Sequence, residues 1–169
     1  MSGIMSGAIS MGILAWIWSN FSTAIGVQAW AGFMGTTTYY GVGSALGERF
    51  VKGWLRGIFV NMVGVAWAIF CVEASNVLHI PNIVAIMTGV ISFGIVAEAK
   101  WKHLMFVPGV YIGCSTTFGM MALGHSYLDT AAVLLMGSVV GLVSDAGGAW
   151  LEKITNKNKK VVENAEQQA

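Results

Sequence analysis

Six apolar stretches, separated by short polar breaks, dominate the pattern of this chain. They cover residues 4–23, 27–46, 51–72, 81–99, 104–123 and 130–150. Helices of about 17 to 25 apolar residues can cross the hydrocarbon core of a bilayer. Polar residues mark the breaks, and Ser126 with Asp129 has the spacing of a capping box ahead of the last stretch. The pattern therefore predicts an all-α membrane protein with six transmembrane helices.

A block of small and polar residues occurs twice within this apolar pattern, at residues 31–41 and 109–119. The offset between the two copies is 78 residues (113 − 35). The aligned pairs are Gly35 with Gly113, Thr38 with Thr116, Tyr40 with Phe118, and Gly41 with Gly119. A chain that repeats its least hydrophobic stretch is expected to consist of two similar halves.

A weaker match extends the repeat, because Asn61 aligns with Ser138 at an offset of 77 residues (138 − 61). Each half would hold three helices, and since three is odd, the second half would enter the membrane in the opposite direction. The sequence thus predicts two inverted-topology repeats, at about residues 4–73 and 79–152. Chance similarity between glycine-rich helices is the alternative.

The basic residues indicate how the predicted helices are oriented. With six spans and a cytoplasmic amino terminus, every Lys and Arg falls in a cytoplasmic connection or in the carboxyl-terminal tail. These residues are Arg49, Lys52, Arg56, Lys100, Lys102, Lys153, Lys157, Lys159 and Lys160. The positive-inside rule therefore predicts that both termini are cytoplasmic. We expect a transmembrane domain over residues 1–152 and a polar cytoplasmic tail over residues 153–169, solvated and poorly ordered from residue 156 onwards.

Composition supports a membrane location and excludes several other classes. The chain is 56% hydrophobic and 10% charged, whereas soluble domains carry about a quarter charged residues. A net charge of +1 gives no basis for nucleic-acid binding. Cys71 and Cys114 lie in apolar stretches without metal-ligand spacing, so we expect them to pack as thiols. The absence of catalytic and cofactor motifs predicts no enzyme activity, no cofactor and no metal site.

The second and fifth stretches are the least hydrophobic and hold most of the candidate functional residues. The candidates are Gly35, Thr36, Thr38, Tyr39 and Tyr40 in the first block, and Gly109, Gly113, Ser115, Thr116 and Phe118 in the second. Small residues four apart allow two helices to pack closely, and hydroxyl groups inside a membrane need partners. The two blocks are therefore expected to form either a tight joint between the halves or the lining of a solute path.

Two further polar residues lie inside predicted helices. Asp145 is the acid that lies well inside a predicted span, and Asn61 is the polar residue that aligns with Ser138. A carboxylate in a membrane is costly and is a functional candidate by default. Asp145 is expected to bind a cation, relay a proton or orient a solute. The alternative is an ion pair with a basic residue near the cytoplasmic face, for which Lys153, Arg49 and Arg56 are the candidates.

Pro108 precedes the second block and allows two local structures. The fifth helix either begins with a break, so that its amino end lies within the membrane thickness, or simply carries proline in its first turn at the interface.

The two blocks, residues 30–41 and 106–119, together with the short apolar spans, resemble the YcdZ-like family of small bacterial inner-membrane proteins. The resemblance covers about residues 9–150 and does not include the tail. It implies a bacterial inner membrane, and it supplies no substrate or catalytic residue.

We therefore expect a membrane channel or facilitator for a small polar or weakly acidic solute, with the repeated blocks lining its path. The alternatives are a proton- or cation-coupled secondary transporter that uses Asp145, and a structural or accessory membrane protein without transport activity. Urea and formate channels are analogous only at the level of the fold. Membrane lipids and a small solute are the expected partners. Because six short helices bury little surface, we also expect a homo-oligomer, a trimer or a larger ring.

Overall fold

The computed structural model describes residues 2–166, and side-chain surroundings for residues 2–157. Its α-helices are α1 (Gly3–Ala24), α2 (Ala29–Leu46), α3 (Phe50–Val77), α4 (Ile83–Ala97), α5 (Val107–Ala122) and α6 (Tyr127–Glu166). One 3-10 turn, Glu98–Lys100, follows α4. No strand occurs within residues 2–166, and the predicted all-α class is confirmed.

Four of the helical segments are long and apolar enough to cross a membrane. They are Gly3–Ala24, Phe50–Val77, Ile83–Lys100 and Tyr127–Lys157. Within the described residues, α2 and α5, the helices that carry the repeated blocks, are not among these four segments. α5 has 16 residues, about 24 Å at 1.5 Å per residue, less than the roughly 30 Å of a hydrocarbon core. α2 has 18 residues, but its glycines and hydroxyl groups lower its hydropathy.

The two short helices each pack against a long one. α2 packs mainly on α6, and α5 packs mainly on α3. α1 lies on α6, and α4 lies on α3. The larger apolar core, which includes Val60, Ile91 and Val110, joins α3, α4 and α5. A smaller core around Trp18 and Met120 joins α1 to α2, α5 and α6. The least apolar helices are thus covered by the most apolar ones.

Contacts between the loops and helix ends define two ends of this bundle. At one of them, which we call the basic end, Arg49 pairs with Asp145, Arg56 donates to the carbonyl of Lys102, and the Glu152 carboxylate lies against Gly3. At the opposite end, Gln28 contacts His125 and the Tyr127 hydroxyl donates to Glu73, both at 3.3 Å. The start of α1 and the region of α6 around Glu152 therefore lie at the same end.

The start of α5 lies inside the bundle. Leu104 and Phe106, which lead into the helix, are buried, and Pro108 stands in its first turn. A Cβ atom at Gly109 would collide with the side chain of Val60. Val60 lies ten residues after the first residue of α3 (60 − 50), about 15 Å along that helix. α5 therefore begins beside the interior of α3. Of the two structures that Pro108 allows, this position favours a helix that starts within the membrane thickness over one that starts at the interface.

The two ends of α6 can be compared with two predictions from the sequence, the capping box before the helix and the poorly ordered tail after it. At its start, the backbone N–H of Ser126 donates to Asp129 Oδ2 at 2.9 Å, and the N–H of Asp129 donates to Ser126 Oγ at 3.1 Å, so the predicted capping box is confirmed. At the other end, the helix continues to Glu166, so the polar segment after Lys153 is helical where irregular chain was expected. Residues 167–169 of the predicted tail lie outside the described residues.

Candidate functional site

The repeated glycines mark places where helix backbones touch. A Cβ atom at Gly35 would collide with the carbonyl oxygen of Leu134 in α6, and one at Gly113 with the carbonyl oxygen of Asn61 in α3. The partner helices contribute Gly137 and Gly64, which approach the carbonyl oxygens of Gly32 and Val110. Backbone contact of this kind is possible only between small residues. The geometry at Gly35 and Gly113 fits the tight joint better than the solute path.

Most hydroxyl groups of the two blocks are satisfied by nearby groups. Thr36 Oγ1 donates to the carbonyl of Gly137 across the α2–α6 contact at 2.6 Å. Thr38 Oγ1 lies 2.8 Å from Asn61 Oδ1 and links α2 to α3. Thr117 Oγ1 donates to the carbonyl of Gly113 within its own helix at 2.8 Å. These bonds explain how hydroxyl groups are accommodated inside an apolar bundle.

Four buried side-chain polar atoms lack a hydrogen-bond partner within the described part of the chain, and two of them, Asn61 Nδ2 and Thr116 Oγ1, lie at the repeated blocks. Asn61 is 1% exposed and Thr116 is 2% exposed. Thr116 stands one helical turn after Gly113, the residue that touches the Asn61 backbone. The structure thus brings both repeated blocks close to Asn61, which is the polar residue between them.

The remaining predicted site residues have different surroundings. Gly109 is buried, Phe118 is half-buried against the larger core, and Ser115 is exposed and bonds back to Tyr111. Tyr39 is buried, whereas Tyr40 is 37% exposed and donates to Ser144 Oγ at 2.9 Å. The ten candidates therefore do not line one common surface.

Asp145 is the centre of a polar network at the basic end. It is 8% exposed and accepts a hydrogen bond from Tyr39 Oη at 2.7 Å. Arg49 forms a two-pronged pair with the carboxylate, with Nε 3.1 Å from Oδ2 and Nη2 against Oδ1. Tyr39 Oη also accepts from the backbone N–H of Phe50 at 3.0 Å. Of the three basic partners expected from the sequence, Arg49 is the one that pairs with Asp145. The network connects α6 with α2 and with the start of α3.

This network forms one wall of a cavity of about 560 Å³ between α1, α2 and α6. The other walls are mostly small or apolar residues of α1 and α6. The lining residues are Gly3, Ile4, Gly7, Ala8, Met11, Tyr40, Arg49, Asp145, Gly148, Ala149 and Glu152. The cavity is open and otherwise apolar, and it offers a guanidinium group, two carboxylates and a phenol. We call it the vestibule.

A second cavity, of about 480 Å³, follows the contact between α1 and α2. It is lined by Met11, Phe33, Thr36, Thr37, Tyr40, Gly41 and Ser44. Met11 and Tyr40 line both this groove and the vestibule. The exposed hydroxyl groups of the first block therefore face a groove that adjoins the charged vestibule.

Sequence reasoning did not identify the contribution of α1. Gly7 and Met11 line the vestibule, and Ser6 and Ser10 are buried behind them. The available signal was the four-residue spacing of these small residues, which allows α1 to approach α6 closely. Glu152 was also missed, because it was assigned only to the end of the transmembrane domain.

The fold and the cavities define a class: an all-helical membrane protein with several helices long and apolar enough to cross a bilayer, and with an open cavity lined by both charged and apolar side chains. The chain belongs to the family described as "Protein of unknown function (DUF1097)", whose model matches residues 8–149.

Three relatives extend over most of the chain. The "Inner membrane protein YcdZ" of Salmonella typhimurium is 31% identical over 152 residues, covering 89% of this chain and 91% of the relative. The protein of the same name from Escherichia coli is 30% identical, covering 89% of each chain. The "Uncharacterized protein YahC" of Escherichia coli is 28% identical, covering 93% of this chain and 98% of the relative. No solved structure matches. The relatives and the apolar helices support an inner-membrane location.

Proposed function

We propose that the protein is a membrane channel or facilitator for a small polar or weakly acidic solute, which enters through the vestibule. The observation that carries this proposal is the cavity between α1, α2 and α6, with the polar side chains of Arg49, Tyr40 and Asp145 in its wall. A guanidinium group binds carboxylate oxygens well, and hydroxyl groups can replace the water around a polar solute. The adjoining groove, lined by Thr37 and Ser44, continues these hydroxyl groups along α2.

This proposal changes the role given to the repeated glycines. Gly35 and Gly113 serve as the joint that holds the short helices, and the exposed side of the first block serves as the path. Two inverted repeats are part of the proposal. Its support is that α2 packs on α6 as α5 packs on α3, and that the contacted carbonyls of Gly32 and Val110 are 78 residues apart (110 − 32).

A cytoplasmic basic end and a homo-oligomer, a trimer or a larger ring, also belong to the proposal. The positive-inside rule supports the orientation. Large apolar side chains on the outer faces of α1 and α4, such as Trp16 at 70% exposure and Phe93 at 76%, offer surface for lipids or for a second copy.

Filling the vestibule tests the proposal. A Cβ atom at Gly7 has no neighbour within 4 Å, so Gly7→Leu places a side chain in the cavity without displacing the backbone. We expect purified Gly7→Leu in liposomes to pass urea or acetate at close to the rate of protein-free liposomes, whereas the unsubstituted protein passes at least one of them faster. Stopped-flow light scattering after an osmotic shift measures both rates.

Gly12→Leu is the matched control. Gly12 lies on the same helix, has equally open space at its Cβ position and does not line the vestibule. It should keep the full rate. Equal rates for all three proteins and for empty liposomes, with either solute, would contradict the facilitator and favour the structural or accessory role. That second candidate is supported by the dry contacts at Gly35 and Gly113.

The coupled transporter is separated from the facilitator by Asp145→Asn. If Asp145 relays a proton or binds a coupling cation, the substitution abolishes the pH or ion dependence of flux while the protein stays folded. If flux keeps the same pH and ion dependence, coupling through Asp145 is excluded. The pairing of Asp145 with Arg49 and Tyr39 favours this second result, because the carboxylate already has partners.

A further inference from the structure

A separate cavity of about 440 Å³ opens at the basic end on the other side of α3. It is lined by Glu48, Lys52, Leu55, Arg56, Phe59 and His103. It shares no lining residue with the vestibule or with the groove along α2. Its role is therefore independent of the transport proposal.

Arg56 organises the polar half of this cavity. Its Nε and Nη2 atoms contact the two Glu48 carboxylate oxygens at 3.0 and 3.3 Å. Its Nη1 atom lies 3.3 Å from the carbonyl oxygen of Lys102 and 2.9 Å from His103 Nδ1. Because Arg56 can only donate, His103 Nδ1 must accept, and the ring proton of the neutral imidazole lies on Nε2. The Glu48 charge is thus neutralised, and His103 keeps one N–H donor.

Lys52 adds an exposed positive charge to the same wall. Its ammonium group is 3.1 Å from Glu48 Oε1, and its side chain is 75% exposed. One carboxylate and two cations leave Glu48, Lys52 and Arg56 with a formal charge of +1. This excess charge, with the His103 donor, suits a single phosphate group.

The remaining wall is apolar and faces outwards. Leu55 is 56% exposed and Phe59 is 47% exposed. Lys52, Arg56 and Phe59 stand at positions i, i+4 and i+7 of α3, and therefore share one face of the helix. From Lys52 to Phe59 this face descends about 10 Å from the end of the helix towards its middle. A charged end above an apolar strip matches the order of headgroup and acyl chain in a phospholipid.

We propose that this cavity binds an anionic phospholipid, with the phosphate between Lys52 and His103 and an acyl chain along Leu55 and Phe59. Basic cavities between helices at a membrane surface bind anionic headgroups, and a Lys near the surface contributes about 1 kcal/mol to such binding. The lipid acts as a fixed ligand at the junction of α3 with the loop that precedes α5.

The test is a lipid titration of the full-length protein in detergent. Native mass spectrometry, in which the protein is released from its micelle, counts the lipids that stay bound. We expect phosphatidylglycerol to bind in a saturable manner with one tight site. Phosphatidylcholine of the same chain length and soluble glycerol phosphate should not compete for it. Lys52→Gln should weaken the apparent affinity about fivefold, which corresponds to about 1 kcal/mol.

Lys153→Gln is the control, because Lys153 is also exposed but lines neither this cavity nor the vestibule. It should leave the affinity unchanged. Equal binding of phosphatidylcholine would overturn the proposal in favour of general lipid contact. Competition by glycerol phosphate would indicate a site for free phosphate esters. Equal losses in Lys52→Gln and Lys153→Gln would indicate diffuse surface charge, and no loss in Lys52→Gln would also overturn the proposal. A Leu55→Ser variant, which keeps every charge, should weaken binding of the lipid.

Discussion

Single glycines determine how closely the helices of this bundle approach. At Gly113, the neighbour that a Cβ atom would meet is the Asn61 backbone, which cannot rotate away as a side chain can. The same is true of Gly35 against the backbone of Leu134 and Ser138. The sequence predicted these glycines as a joint or as a path, but which backbone each one meets depends on the tertiary arrangement.

Gly113→Ala should therefore destabilise the protein. We expect a loss of about 1–3 kcal/mol in the free energy of unfolding, as is typical when an extra methyl group is forced into a packed core. Denaturation in detergent, followed by tryptophan fluorescence, measures the change.

Gly89→Ala is the control at this scale. A Cβ atom at Gly89 has no neighbour within 4 Å, so the substitution should be neutral or should stabilise α4 by up to about 1 kcal/mol. Similar losses at both positions would contradict the assignment, because they would show that close approach to a neighbouring backbone does not set the effect.

Charged residues illustrate what the sequence could predict at this scale. The burial of Asp145 and the ion pair with a basic residue near the cytoplasmic face were both among the expectations. The partner could not be chosen, because Arg49, Arg56 and Lys153 all lie near the same end of the bundle. The choice of Arg49 depends on Tyr39, which holds both Asp145 and the start of α3.

At the scale of elements, the turn between α2 and α3 is stabilised by charge. The hydrogen bonds from Arg56 are the main reason that the pKa of the Glu48 carboxyl lies below its ordinary value. Burial raises this pKa, and Lys52 lowers it further. A carboxyl group with a lower pKa in the folded state contributes stability at neutral pH. This contribution is lost as the pH falls from the unfolded-state pKa through the folded-state pKa.

The unfolding temperature should therefore decrease as the pH falls below the ordinary Glu48 value of about 4.5. Glu48→Gln should reduce the unfolding temperature at neutral pH and should flatten this part of the pH profile. Glu152→Gln, which lies at the same end but outside the pairs with Arg56 and Lys52, serves as the comparison. A pH profile that is equally steep in Glu48→Gln and in the unsubstituted protein would contradict the assignment.

Hydropathy predicted the existence of all six helices because apolar stretches and polar breaks are local features. It did not predict that α2 and α5 would be only 18 and 16 residues long. A short helix with hydroxyl groups can lie in a membrane protein when neighbours supply hydrogen bonds and cover it, as Gly137 does for Thr36. Such neighbours are distant in sequence and leave no local trace. The helical continuation of α6 was missed for a different reason, because a polar helix and a polar coil have similar composition.

At the scale of the whole molecule, the basic and opposite ends correspond to the charge asymmetry of the sequence. Arg49, Arg56 and Lys102 meet at one end, and Glu73, Tyr127 and His125 lie at the other. The gathering of basic residues at one end was thus predicted from the charges alone, whereas the cavities could not be predicted from the sequence. A cavity is formed by residues from several helices, and its position depends on how those helices cross.

The orientation can be measured by labelling in intact cells. Leu128→Cys, at the opposite end and 81% exposed, should react with a membrane-impermeant maleimide added outside the inner membrane. Lys153→Cys, at the basic end, should react only after the membrane is permeabilised. The native thiols Cys71 and Cys114 are buried and should give little background. Reaction of Lys153→Cys in sealed cells would reverse the proposed orientation.

The contact between α2 and α6 has a consequence for the synthesis of the protein. α2 is completed within the first 46 residues, but Gly137, which accepts the Thr36 hydrogen bond, is made more than 90 residues later. Until α6 leaves the ribosome, α2 must be kept in the membrane by α1 and α3. The bundle is therefore expected to reach its final form only after α6 has been made, and chains truncated before α6 should be substrates for membrane proteases.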